Sequence, residues 1–127
     1  MFAPITQLSE ALPLGAGAIA SKPLVDLPGD LKLVLFAMDE GQEISAHSAP
    51  FPATVLCVAG RLEVMVAGAW STLGPGGRMD LPQGVPHGVR ALEPSHWLLT
   101  MLRGSAANAG CGELQTESAG WATGSFT

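Results

Sequence analysis

Two histidines in this chain stand in surroundings that place a side chain for chemistry. His47 ends the segment Gly41–His47, and His87, forty residues later, ends the segment Pro82–His87. Each follows a glycine-bearing turn and lies beside short apolar runs typical of strands. An imidazole can ligate a metal ion, form hydrogen bonds or move a proton near neutral pH. The sequence therefore predicts a site that contains both histidines.

Backbone geometry indicates the direction in which the two histidine side chains point. Pro82 and Gly84 make a rigid, tight corner, and Pro86 restricts the approach to His87. Positions two apart on a strand share a face, so His47 faces the same way as Ala49. If the strands close into a barrel, we expect His47 and His87 to converge inside it.

The elements that must position these residues are short strands. Turn signals recur every eight to twelve residues or so, which predicts an all-β barrel or sandwich. We expect segment 1–30 to hold a short helix and an edge strand, 31–103 to form the barrel core, and 104–127 to form a tail. The expected helix is Ile5–Leu12, and the expected strands are Ala18–Leu27 (interrupted by Pro23), Leu31–Met38, Gln42–His47, Ala53–Val58, Arg61–Val66, Trp70–Leu73, Arg78–Leu81, His87–Ala91 and Trp97–Leu102.

Composition narrows the class of partner. The chain is 47% hydrophobic and only 13% charged, so we expect a second copy to cover part of its surface as a homodimer. The net charge is −5 and the six basic residues are scattered singly, which argues against nucleic acid and membrane surfaces as partners. Met1–Glu10 lacks the features of a signal peptide and no apolar run is long enough to span a membrane, so we expect a cytoplasmic protein.

The order and spacing of these residues resemble the cupin family. The first cupin motif is matched by Gly41, His47 and Gly60, and the second by Gly76, Pro82, Gly84 and His87. The match spans about residues 32–102, and His47–Pro50 reads His-Ser-Ala-Pro as in small single-domain cupins of the cupin 2 type. The resemblance implies an all-β, cupin-type antiparallel jelly-roll β-barrel in one domain.

The chain departs from the family at its ligand positions. Metal-bound cupins hold iron, manganese, zinc or nickel with three histidines and a carboxylate. Here Ala49 and Ala53 occupy the second histidine and the glutamate positions, and Ala91 occupies the asparagine position. Two imidazoles fall short of the three or four protein ligands that such sites ordinarily use. The resemblance therefore implies a degenerate motif in which His47 and His87 bind a divalent Zn, Ni, Fe or Mn ion weakly or not at all.

Other side chains that could complete such a site are poorly spaced. His96 follows a turn and precedes an inward-facing Trp97, so we expect it to be exposed. Asp80 could reach the barrel mouth, and Cys57 could face inward, although a buried hydrophobe is the simpler interpretation of that cysteine. Cys111 lies in the polar tail, where we expect it to be exposed.

The remaining functions are a small-molecule-binding module with a reduced two-histidine pocket, and a metal-dependent enzyme in which His47 and His87 hold a divalent Lewis acid. A third is a structural or oligomeric role for a site that has decayed. The resemblance disfavours the cupin sugar epimerases, which use a tyrosine acid, since the chain has no tyrosine. Iron dioxygenases of the family need a third ligand. The candidate pocket residues are Phe36, Phe51, Met65, Met79 and Trp97, and Arg78 and Arg90 could meet a carboxylate ligand.

Overall fold

Residues 7–104, the part of the chain that the computed structural model describes, contain nine strands in two antiparallel sheets. One sheet has five strands in the order β1-β2-β9-β4-β7, and the other has four in the order β3-β8-β5-β6. This confirms the all-β, antiparallel jelly-roll class, with two separate hydrogen-bonded sheets in these residues. The strands are β1 (Ile19–Leu27), β2 (Leu31–Met38), β3 (Glu43–His47), β4 (Ala53–Ala59), β5 (Leu62–Val66), β6 (Ala69–Leu73), β7 (Arg78–Leu81), β8 (His87–Ala91) and β9 (Ser95–Leu102).

The strand bounds lie close to those expected from hydrophobic patterning. β2, β7 and β8 begin and end at the predicted residues, and β1 is irregular between Pro23 and Val25, where the pairing register shifts. The expected N-terminal helix is reduced to a 3-10 turn at Leu8–Glu10, and Ile5 lies outside the described residues. Segment 105–127, with Cys111 and nearly all of the expected tail, also lies outside them. No helix in residues 7–104 is long and apolar enough to cross a membrane.

The core lies between the two sheets. Phe36 and Trp97 stack face to face there with ring centroids 4.2 Å apart. The indole N–H of Trp97 donates to the sulfur of Met38 at 3.0 Å. Cys57 is fully buried in the same cluster, and burial raises the pKa of its thiol, so it behaves as the small buried hydrophobe expected.

His96 lies on the outer face of the five-stranded sheet and is buried there, although the sequence predicts that it is exposed. Its side chain is only 5% exposed, and its Nε2 donates to the carbonyl oxygen of Leu12 at 2.7 Å. The exposure expected from the sequence is wrong because the N-terminal segment packs across this face, a contact between residues 84 positions apart. Strand alternation still holds, since His96 faces outward while Trp97 faces the core.

Candidate functional site

Two loops of five residues carry the histidines to one end of the sandwich. Loop 48–52 joins His47 to Ala53, and loop 82–86 joins Leu81 to His87. Ala53 and Leu81 are directly paired neighbours in the five-stranded sheet, so both histidines lie above the same end of that sheet. The amide of Gly84 donates to the carbonyl of Ala49 at 2.8 Å and ties the loops together. We call this end of the sandwich the mouth.

A β-bulge brings His47 into line with His87. Ile44 pairs with Val89 and His47 pairs with His87, so β3 spans three residue steps where β8 spans two. Without the extra residue, strand alternation would place Ala46 on the inner face and His47 on the outer face. Gly88 makes room for the bulge, because a Cβ there would lie 3.1 Å from the carbonyl oxygen of Ile44. The convergence expected from the sequence is therefore present, and it depends on the bulge.

The two imidazole rings are in edge contact, with centroids 4.6 Å apart and planes inclined at 69°. Nδ1 of His47 lies 3.0 Å from the carbonyl oxygen of Ser45, and Nδ1 of His87 lies 3.3 Å from that of Val85. A carbonyl oxygen only accepts hydrogen bonds, so each Nδ1 must carry the hydrogen. In the neutral rings, both Nε2 atoms are consequently left as lone-pair acceptors.

Neither Nε2 has a hydrogen-bond partner within residues 7–104, and neither is sealed from solvent. His87 is 7% exposed, whereas His47 is exposed at the rim. Burial lowers the pKa of His87, and the neighbouring His47 lowers it further, against a smaller opposing effect of the Val85 carbonyl. A ligand at the mouth therefore meets a neutral His87 whose acceptor nitrogen is accessible.

The other predicted pocket residues divide between the two faces. Phe36, Met79 and Trp97 belong to the inner face and pack in or against the core. Phe51 lies half-buried in the loop before β4. Met65 shares the outward face of β5 with Glu63, and Gly68 N–H donates to its sulfur. Met65 is thus buried without lining the space between the sheets, because Val64 and Val66 take the inward positions.

No third ligand joins the histidines within residues 7–104. Residues 7–104 contain no group of three or more His, Cys, Asp or Glu side chains that could hold a metal ion. Asp80 faces outward and pairs with Arg78 at 2.5 Å, and Cys57 lies inward but four residues along β4 from the mouth. Arg90 is held on the outer face by Glu63 at 2.8 Å and by Glu43 at 3.4 Å. The two imidazoles fit a divalent ion only as part of a ligand set.

Comparison with known proteins identifies similar folds. No family model and no curated protein sequence matches the chain. A conserved protein of unknown function from Streptococcus pyogenes is 28% identical, with a TM-score of 0.75 over 81% of this chain and 90% of that one. A cupin 2 conserved barrel domain protein from Leptotrichia buccalis is 28% identical, with a TM-score of 0.71 over 74% of this chain but only 45% of that one. KdgF from Halomonas sp. is also 28% identical, with a TM-score of 0.65 over 72% and 85%.

Proposed function

We propose that this chain, which has the fold of the cupin proteins to which it is similar, is a small-molecule-binding module whose ligand is held at the mouth by His47 and His87. The observation that carries this proposal is the pair of carbonyl contacts at Nδ1. They orient both rings, whose centroids are 4.6 Å apart, and leave an accessible Nε2 acceptor on each. A ligand that donates two hydrogen bonds, such as one with two hydroxyls, fits this pair.

A purely structural role for the pair fits these contacts less well. His96 is an internal comparison, because its Nε2 donates to a backbone carbonyl and closes a contact with the N-terminal segment. The Nε2 atoms of His47 and His87 have no such partner in residues 7–104, which supports a role in binding.

The alternative is a metal-dependent enzyme, and the same tautomer favours it. A neutral imidazole with Nδ1 hydrogen-bonded to a carbonyl is the usual form of a metal-binding histidine. The two Nε2 atoms would supply part of the coordination of a divalent Zn, Ni, Fe or Mn ion, which would act as a Lewis acid. Water or substrate would have to complete the ligand set, because Ala49 and Ala53 supply no donor.

Metal analysis and imidazole NMR separate the two candidates. Protein purified without a nickel column is assayed for bound metal, beside the matched variants His47→Gln, His87→Gln and His96→Gln. A stoichiometric metal that is lost in the first two variants and kept in His96→Gln favours the enzyme. A metal-free wild-type protein, whose His47 and His87 signals shift saturably with a small ligand, supports the binding module. If those signals respond neither to divalent ions nor to small hydroxylated ligands, both candidates are wrong.

We also propose that a second copy covers the end of the outer face of the five-stranded sheet that lies away from the N-terminal segment packed over His96. Leu27, Leu31 and Leu102 lie in one row across β1, β2 and β9, and their side chains are on the face opposite Phe36 and Trp97. Leu27 is 52% exposed and Leu102 is 37% exposed. Covering this row would remove apolar surface from water, in keeping with the low charge of the chain.

A further inference from the structure

Lys32 is placed at the same mouth as the two histidines by strand register. It pairs with Met101 on β9, and Met101 pairs with Ala53 on β4, which pairs with Leu81 on β7. These four residues form one row across the five-stranded sheet. Ala53 and Leu81 are the residues from which the two loops leave for His47 and His87. The row is therefore the last inner layer of that sheet before the mouth.

The side chain of Lys32 belongs to the inner face. Phe36, four positions further along β2, stacks on Trp97 inside the core, and β2 pairs with β9 without a register shift. Residues four apart on a regular strand share a face. The turn after β2 leads directly into β3, so the opposite end of β2, where Lys32 lies, is at the His47 end of β3. Facing sheets lie about 10 Å apart, which is within the combined reach of a lysine and a small ligand.

The ammonium group of Lys32 has no partner of its own in the part of the chain that the structure describes. Lys32 is half-buried, yet it forms no hydrogen bond or ion pair within residues 7–104. The nearby Asp26 is bound by Arg103 at 2.6 Å, and Arg103 also donates to the carbonyl oxygen of Leu27 at 3.0 Å. Asp26 lies directly opposite Lys32 across β1 and β2 and attracts its ammonium electrostatically, but the two side chains form no ion pair within residues 7–104. Since half-buried lysines are ordinarily paired or extend to water, an unpaired ammonium beside a binding site is available to a ligand.

We propose that Lys32 is a third polar group of the site and selects small organic anions that carry two hydroxyls, such as dihydroxycarboxylates. The ammonium donates to the carboxylate, and Nε2 of His87 and Nε2 of His47 each accept from a separate hydroxyl. An ammonium can only donate and a neutral Nε2 can only accept, so the two kinds of group demand both functions in one ligand. This inference rests on the proposed binding function and names the ligand class of that same site.

The test uses D-glycerate as the probe and glycerol as its uncharged counterpart. The chain has three histidines, so the three glutamine variants assign the imidazole signals, and the shifts of His47 and His87 are followed during titration. Wild-type protein should bind glycerate at least tenfold more tightly than glycerol, and Lys32→Met should weaken glycerate binding by about tenfold or more, as expected for the loss of a charge-assisted hydrogen bond. Lys22→Met is the matched control, because Lys22 lies on β1 and reaches the carbonyl of Ala11 on the outer face.

The outcomes distinguish failure of the Lys32 inference from failure of the proposed binding function on which it rests. Glycerate binding that His87→Gln and Lys32→Met both weaken, and that Lys22→Met leaves unchanged, supports the inference. Equal binding of glycerate and glycerol that depends on His87 but not on Lys32 overturns the inference and keeps the binding module. Absence of saturable shifts at His47 and His87 with both probes overturns the dihydroxycarboxylate assignment, and if the wider ligand and metal trials are also negative, the binding module fails with it.

Discussion

Replacement of Gly60 by alanine is expected to be among the most destabilising single-methyl changes in the chain. Gly60 ends the first glycine-histidine motif and has φ of 89°, in the left-handed region. A Cβ built there would overlap Ser95 Oγ and the carbonyl oxygen of Pro94, and would lie 2.8 Å from Ser95 Cα. The backbone of this turn and the start of β9 therefore occupy the space that any side chain would need.

The expected loss of unfolding free energy in Gly60→Ala has two parts. A left-handed conformation costs a residue with a Cβ about 1–2 kcal/mol relative to glycine, and overpacking a closed site costs about 1–3 kcal/mol. Gly60→Ala should thus lower the free energy of unfolding by about 2–5 kcal/mol. Gly84→Ala is the matched control, because Gly84 has φ of 76° but nothing within 4 Å of its built Cβ; it should lose only about 1–2 kcal/mol.

Urea unfolding followed by tryptophan fluorescence measures both losses. The midpoint of thermal unfolding should also fall, by about 4–8 °C for each kcal/mol. Equal losses in Gly60→Ala and Gly84→Ala would refute the close approach of the Gly60 turn to Ser95. A further check is Gly60→Ala combined with Ser95→Ala, which should not restore stability, because the Pro94 carbonyl oxygen remains in place.

Three further predictions concern protonation, a turn and the outer face. The pKa of His87 in the folded chain is lowered below its ordinary 6.5, so the unfolded chain takes up a proton more readily. The free energy of unfolding should therefore be highest above pH 6.5 and should fall as the pH drops from 6.5 through the folded-state pKa. Urea unfolding between pH 7.5 and 5 should show a shallower fall in His87→Gln, and an equal dependence of the unfolding free energy on pH in both proteins would contradict this. Ala67 has φ of 52° in the turn between β5 and β6 and precedes Gly68; Ala67→Asn should raise the free energy of unfolding by about 0.5–1 kcal/mol, and a loss would show that the turn is not of the asparagine-glycine type. Leu102→Glu should convert a dimer to a monomer in sedimentation analysis, whereas a monomeric wild-type protein would reject the proposed pairing.

The strands and the two-histidine mouth could be predicted because their signals are local. Apolar runs bounded by glycine and proline set the ends of β2, β7 and β8. The pairing of His47 with His87 followed from motif order, but strict alternation from Ile44 would have sent His47 outward. The bulge that corrects its direction leaves only a weak trace in the sequence, namely Gly88 inside a strand.

Long-range packing accounts for what the sequence could not provide. His96 is buried by a segment 84 residues away in the chain, and no local pattern reports that contact. Lys32 was not recognised as a site residue, because Leu31–Met38 reads as apolar on both faces and its alternation assigns no side. Residue type alone predicts Met65 as a pocket residue, but Met65 shares the outward face of β5 with Glu63. For Lys32 the pairing register of the folded sheets decides the face, whereas the alternation of Leu62, Val64 and Val66 in the sequence already places Met65 on the opposite face.

The central claim is that His47 and His87 present two unprotonated Nε2 atoms to the mouth. Long-range ¹H–¹⁵N correlation spectra of the imidazoles, recorded near pH 7.5 on metal-free protein, report the tautomer of each ring directly. We predict the Nδ1–H form for both His47 and His87, with Nε2 resonances typical of an unprotonated nitrogen, and the Nε2–H form for His96, which donates through that atom. An Nε2–H tautomer at His47 or His87 would contradict the account, because the ring would then have no acceptor to offer a ligand at the mouth.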